Sequence, residues 1–143
     1  MVPSIDLKKL KELIQQRRSQ ERILVALAGP PGSGKSTLAG ELESALHQEQ
    51  PEQVMILPMD GFHYDDDVLH ELGLLNKKGS PNTFDFPGFT FMLKRLFENR
   101  EKSIAIPVFD RELEVSRNGS NIIESSVRHL IVEGNYLMLK EKP

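Results

Sequence analysis

Leu7, Leu10, Leu13 and Ile14 fall on one helical face, with Ser4 ahead as a cap and Asp6 in the first turn. Arg17 and Arg18 follow where the macrodipole favours cations, so the pattern predicts a helix over residues 4–18. Residues 23–28 are an unbroken apolar run and predict a strand apolar on both faces, as in a parallel sheet covered by helices. Residues 29–34 form a glycine-rich turn. Leu38, Leu42, Ala45 and Leu46 then return to helical spacing as far as about His47, and Pro51 interrupts a polar loop over 48–53. Strand, glycine turn and helix make the first half of a βαβ unit.

Further along, residues 54–57 predict a second strand that delivers Asp60 to its C-terminal end, where open α/β sheets bind ligands. Asp65, Asp66 and Asp67 precede a short helix over 68–72. They read as helix-capping acids, with a metal cluster around His63 as the minority alternative. Pro87 suits a first helical position, and Phe89, Leu93, Leu96 and Phe97 give the following helix its buried stripe. A strand over 104–109, a polar excursion over 112–121 with a turn at Asn118-Gly119, and a strand over 130–132 ending at Glu133-Gly134 complete the chain.

A chain of 143 residues is one domain, residues 1–143, by the usual size of about 100–200 residues. Its 38% apolar and 27% charged residues are ordinary globular composition. A net charge of −3 gives no basic excess, so the reading is no nucleic acid and no membrane among the partners. The absence of cysteine removes thiolate chemistry and fits a reducing compartment. No apolar run approaches the ~20 residues of a membrane span, and residues 1–6 lack a signal pattern; the expected localisation is cytoplasmic.

Gly29-Pro30-Pro31-Gly32-Ser33-Gly34-Lys35-Ser36 fills the P-loop pattern between a predicted strand and a predicted helix, with Thr37 next in line. With glycine at about 7% of residues, its four fixed positions coincide by chance in a chain this long well under about one time in a hundred. Glycines let backbone N–H groups converge on phosphate oxygens, Lys35 reaches the β- and γ-phosphates, and Ser36 offers its hydroxyl to Mg²⁺. Thr37 stands where a dinucleotide fingerprint needs its third glycine. Asn76-Lys77-Lys78-Gly79 lacks the acid that guanine readers carry after Asn-Lys-x, which favours ATP. Two strand-end acids remain. Asp60 fits the base that accepts a hydroxyl proton, and Glu133 the acid that anchors the metal or its waters, provided both strands are parallel neighbours of residues 23–28.

Four motifs in order now carry a resemblance: the P-loop, Met59-Asp60-Gly61-Phe62-His63-Tyr64, Phe84-Asp85-Phe86-Pro87 and Val132-Glu133-Gly134-Asn135-Tyr136. The chain resembles the superfamily of uridine kinase, phosphoribulokinase and bacterial pantothenate kinase, in its sugar or nucleoside kinase-like branch. That resemblance implies that Asp60 activates an acceptor hydroxyl, that Glu133 helps hold magnesium and that Asp85 binds substrate hydroxyls; by its own sequence context Asp85 reads equally as a helix cap. It also places His63 and Tyr64 on the substrate side. Pro107-Val108-Phe109-Asp110-Arg111 is similar to the segment with which uridine kinases line the nucleoside pocket, so Phe109, Asp110 and Arg111 join the substrate candidates. Phe109 replaces the pyrimidine-reading tyrosine, and the family's histidine beyond it is absent, which argues against uridine or cytidine. Arg111 pairs either with an anionic or polyol substrate or with a surface acid.

The expected fold is a three-layer α/β P-loop nucleoside triphosphate hydrolase fold with a mostly parallel sheet, a helix over 4–18 and a nucleotide-binding core over 22–143. The family carries further strands and an arginine-rich lid after its Glu-Gly motif. The sheet is therefore expected to be incomplete at the C-terminus, leaving residues 23–28 as an exposed edge open to homodimer formation or other association. The expected function is ATP- and Mg²⁺-dependent phosphoryl transfer to a hydroxyl of a small-molecule acceptor, a sugar, nucleoside or vitamin-like alcohol. The alternative is a non-catalytic or truncated ATP-binding module of the same fold.

Overall fold

The computed structural model describes residues 4–17, 21–49 and 53–140. Helix α1 (Leu7–Gln16) starts from Asp6, whose carboxylate accepts the Lys9 N–H at 2.7 Å. Ser4 is therefore not the cap: it lies two residues too far from the first-turn donors, and Asp6 holds the extended conformation a cap requires. Arg17 closes the helix, and Arg18 lies outside the described residues. Ile14 is buried with Leu7 and Leu10 packed beside it, while Leu13 turns to solvent, correcting the predicted face.

Strand β1 (Ile23–Ala28), helix α2 (Lys35–His47), strand β2 (Val54–Pro58) and a 3₁₀ turn (Met59–Phe62) follow in order. Helix α3 (Asp66–Glu71), two further 3₁₀ turns (Leu75–Lys77 and Pro81–Thr83), helix α4 (Phe86–Glu98), strand β3 (Ser103–Asp110), strand β4 (Val115–Glu124) and strand β5 (His129–Gly134) complete the described elements. The main sheet is parallel, in the order β1-β5-β2, with Ile23 and Val54 both in register with His129. Among the described residues only β5 neighbours β1; the strand that leads to Asp60 lies one place further out, beyond β5.

Side chains of β5 alternate between two cores, as the pleat requires. Ile131 packs with Ile14, Leu42 and Leu46 under α1 and α2. Leu130 and Val132 pack with Phe62, Phe89 and Leu96 on the opposite face, joined by Ile104, Ile106 and Ile123. These are the three expected layers. In β1, Leu24, Val25 and Leu27 are half-buried but Ala26 and Ala28 are exposed, so its burial on both faces is only partial. Its outer edge meets no strand among the described residues. No helix among the described residues is long and apolar enough to cross a membrane.

Residues 112–121 are no polar excursion. They contribute to β4, which pairs antiparallel with β3 as a separate hairpin. The predicted turn at Asn118-Gly119 is a bulge: pairing jumps from Ile106↔Asn121 to Val108↔Arg117, opposite Pro107, which has no N–H to give the ladder. Asp65 caps α3 by accepting the Asp67 N–H at 3.0 Å, and no group of three or more metal-ligating side chains gathers among the described residues. In α4 Phe89 and Leu96 are buried, whereas Phe97 lies off the stripe and faces solvent.

Candidate active site

Where β1 ends, the chain turns through the P-loop into α2. Gly32 at φ +73° and Gly34 at φ +86° take left-handed conformations that cost a side-chain-bearing residue strain. Gly34 is also the N-cap of α2 and offers no side chain, so the first helical N–H groups stay available to an anion. Lys35 folds back with its Nζ donating to the Pro30 carbonyl at 2.8 Å.

The parallel register delivers the second half of the site. Glu133 stands opposite Leu27 of β1 and Pro58 of β2, at the sheet edge that faces the P-loop. There the Ser36 hydroxyl donates to Glu133 Oε2 at 2.9 Å, joining residues 97 positions apart. Asp60 lies on the 3₁₀ turn directly after β2. Pro31, Gly32, Lys35, Ser36, Asp60 and Glu133 line one polar cleft of about 200 Å³, together with Arg111, Gly134 and Asn135. A second hollow of about 220 Å³ shares Ser36, Asp60, Arg111 and Glu133 and continues against Pro58, Val108 and Phe109. The first hollow is predominantly polar; the second gains an apolar wall from Pro58, Val108 and Phe109.

The β3–β4 hairpin brings in Arg111, whose Nη2 donates to Asp60 Oδ2 at 3.3 Å. Asp110 supports that tip. Its Oδ1 accepts the N–H groups of Glu112 and Leu113, both at 3.1 Å, and its Oδ2 pairs with Arg117 at 3.3 Å. The Leu113 N–H, with the other donors, holds the Asp110 carboxyl below the usual aspartate range. Lys78 fastens the same tip by donating to Asp66 Oδ1 at 2.6 Å and to the Glu114 carbonyl at 2.7 Å. Ser116 Oγ donates to the Gly61 carbonyl and ties β4 to the 3₁₀ turn that carries Asp60.

His63 makes tilted ring contacts with Phe84, at 3.8 Å between centroids, and with Phe109, at 5.1 Å. Its Nδ1 lies 3.1 Å from the Asp60 carbonyl, which only accepts, so Nδ1 carries the proton and the buried Nε2 has no partner among the described residues. Burial pushes this imidazole below its usual value, against the opposing pull of Asp60.

Not every candidate converges. The backbone N–H of Tyr64 donates to the Thr83 carbonyl at 3.0 Å, and Tyr64 lines neither hollow. Asp85 caps α4 by accepting the Gly88 N–H at 2.9 Å, and it too stands outside both hollows. Asp110 is taken up by the hairpin turn. Gly29, Pro30, Ser33 and Thr37 shape the P-loop without lining the cleft. Asn135 and Gly134 were missed as site residues, although both follow Glu133 in the motif that identified it. Lys78 and Ser116 carried no local signal, because their partners lie 36 and 55 residues away.

Magnesium accords with this donor set. A serine hydroxyl and one carboxylate are hard oxygen ligands, in the number that a cation shared with substrate phosphates uses.

The model of the KAP family P-loop domain matches residues 7–73. The chain is 35% identical over 135 residues to the "Putative uridine kinase C227.14" of Schizosaccharomyces pombe, covering 91% of this chain and 57% of that protein. A pantothenate kinase of Listeria welshimeri is 33% identical over 100 residues, 68% of this chain and 32% of its own length. The chain thus spans about half, or less, of these curated relatives. The solved structure of a "putative fructose transport system kinase" from Silicibacter sp. TM1040 superposes with a TM-score of 0.86 at 39% identity, covering 96% of this chain and 67% of that one. With identity at this level running through the same P-loop fold, the chain belongs to the family of P-loop kinases that includes uridine kinase, phosphoribulokinase and pantothenate kinase.

Proposed function

We propose that the protein binds ATP with Mg²⁺ and transfers the γ-phosphoryl group to a hydroxyl of a small metabolite. The observation that carries this reading is the 2.9 Å bond between Ser36 and Glu133, formed beside Lys35 and Asp60 in one cleft. Lys35 leaves the Pro30 carbonyl for the β- and γ-phosphates, and the open N-terminus of α2 receives the phosphate oxygens. Ser36 and Glu133 would hold magnesium, which when bound neutralises phosphate charge. Asp60 accepts the proton of the acceptor hydroxyl as that oxygen bonds to the γ-phosphorus; the bond from the γ-phosphorus to the bridging oxygen breaks and ADP leaves.

Phe109 supports a sugar, polyol or vitamin-like alcohol over a pyrimidine nucleoside, because its ring packs on His63 and gives a base edge no hydroxyl to bond. Asp60→Asn is expected to keep Mg-ATP affinity and lower kcat about 10²–10⁴-fold. Lys35→Ala and Ser36→Ala are expected to weaken Mg-ATP binding. Calorimetry showing full affinity in both, or steady-state kinetics showing an unimpaired Asp60→Asn, would overturn the reading.

A further inference from the structure

Nothing in the transfer step just described requires Arg111, yet its guanidinium lies in both hollows and touches the base itself. Its side chain is 76% exposed while that of Asp60 is 30% exposed. One 3.3 Å contact to Asp60 is its sole hydrogen bond among the described residues, so most of its five N–H donors face solvent. An exposed pair of this length is weak and screened by solvent, so it exchanges readily. The tip that carries it is fixed, by contrast, through Asp110, Arg117 and Lys78. A held backbone with an under-used guanidinium is the arrangement of a receptor for a planar or tetrahedral oxyanion.

The charges of the hollow beside Asp60 lead to the same place. Arg111 is the only cation among its lining residues, against the carboxylates of Asp60 and Glu133. Lys35, in the neighbouring cleft, is taken by the nucleotide on the reading above. We propose that Arg111 reads an oxyanion on the acceptor, so that the preferred acceptors are acids: short hydroxylated carbon skeletons bearing a carboxylate or a phosphate near the hydroxyl that is phosphorylated. The inference rests on the kinase reading for the identity of Asp60 as base.

Arg111 holds Asp60 Oδ2, an oxygen that an incoming hydroxyl would use. An acidic acceptor draws the guanidinium into a two-pronged contact and frees that oxygen for its own hydroxyl in the same event. A neutral polyol has to compete with Arg111 for Asp60 and offers the guanidinium nothing of equal strength. Hydrogen bonds of about 2.8 Å on each side of a 3.3 Å pair keep the acid and the hydroxyl within a few bonds of one another.

The test is calorimetric binding of matched pairs to the full chain: D-gluconate against D-glucitol, D-glycerate against glycerol, and fructose 6-phosphate against fructose. In at least one pair the acid is expected to bind about tenfold tighter than its neutral twin, a contrast of about 1.4 kcal/mol. The carboxylate and phosphate pairs show which oxyanion is read. Arg111→Leu should erase the difference, and Arg111→Lys should retain part of it, since charge remains without the fork. Acids binding no tighter than their twins in every pair would overturn the inference, as would a preference that survives Arg111→Leu. Loss of Mg-ATP affinity in Arg111→Leu with the acid preference intact would assign the guanidinium to the nucleotide and overturn it too. Mg-ATP binding to the unaltered chain is measured separately: its failure sinks the kinase reading, while the acid-alcohol contrast still decides the role of Arg111.

Discussion

Arg22 shows how much one side chain can hold together. It is only 1% exposed, and its guanidinium donates to three carbonyls, those of Val127, Leu96 and Glu124, each at 2.8 Å. Those oxygens belong to α4, to the end of β4 and to the approach to β5, so one cation joins three segments. Arg22→Met keeps much of the volume and leaves the three carbonyls without this donor. The expected loss is about 3 kcal/mol or more in urea denaturation. From sequence, Arg22 passes for a surface charge ahead of an apolar strand. The P-loop was legible because its chemistry is local: spacing, strand and helix all lie within a few residues. The Asp60–Arg111 pair was legible only as two separate candidates, since 51 residues divide them. Asp85 and Asp110 were placed with substrate by resemblance, while their neighbouring N–H groups hold them as a cap and a turn.

Among the elements, the β3–β4 hairpin and the 3₁₀ turn behave as one piece. They meet at Gly61, where an added Cβ would come within 2.4 Å of the Pro107 carbonyl oxygen and 2.8 Å of its carbon. Both contacts are backbone, so neither moves cheaply. Gly61→Ala is expected to push hairpin and turn apart, lowering the thermal midpoint and displacing Asp60, its chain neighbour, from the Ser36–Glu133 pair. A variant with an unchanged melting curve and unchanged kcat would contradict this coupling. Strand β4 was also the least legible element, whereas β3 was expected over 104–109. In β4 only Ile123 is buried, and the strand is held by its ladder to β3, which leaves no mark in the hydrophobic pattern. The strands β1, β2 and β5 were legible because they are short apolar runs, packed on α1 and α2 from one face and on α4 and the hairpin from the other.

For the molecule as a whole, two imidazoles set an acid limit. Burial lowers His129 and His63 below their ordinary value of 6.5, and His129 Nδ1 and His63 Nε2 lack partners among the described residues. Each stays neutral in the folded chain at a pH where the unfolded chain has begun to protonate it. Below about pH 6.5 the unfolded form thus binds more protons, and stability falls through the window down to the two folded values, then levels off. Denaturation midpoints should drop as the pH falls below about 6.5, and the drop should shrink when both are changed to Gln. A full-sized drop in that double variant would assign the effect to other groups. The edge of β1 that meets no strand among the described residues sets a different limit. Residues 23–28 contain neither proline nor charge, and such an edge invites pairing with another chain. The sedimentation coefficient is expected to rise with concentration, and Ala26→Lys to suppress the rise; a concentration-independent monomer would refute the expectation.

The bond between Ser36 and Glu133 also imposes an order in time. The two residues are 97 positions apart, and a ribosome adding about 5–20 residues per second needs on the order of 5–20 s to make that stretch. Throughout that interval β1 has been synthesised and β5, its partner strand in the sheet, has not. The apolar strand ahead of the P-loop therefore waits without this partner throughout that interval, exposed to chaperones and to neighbouring nascent chains, and the Ser36–Glu133 contact closes only after the residues between them have been made.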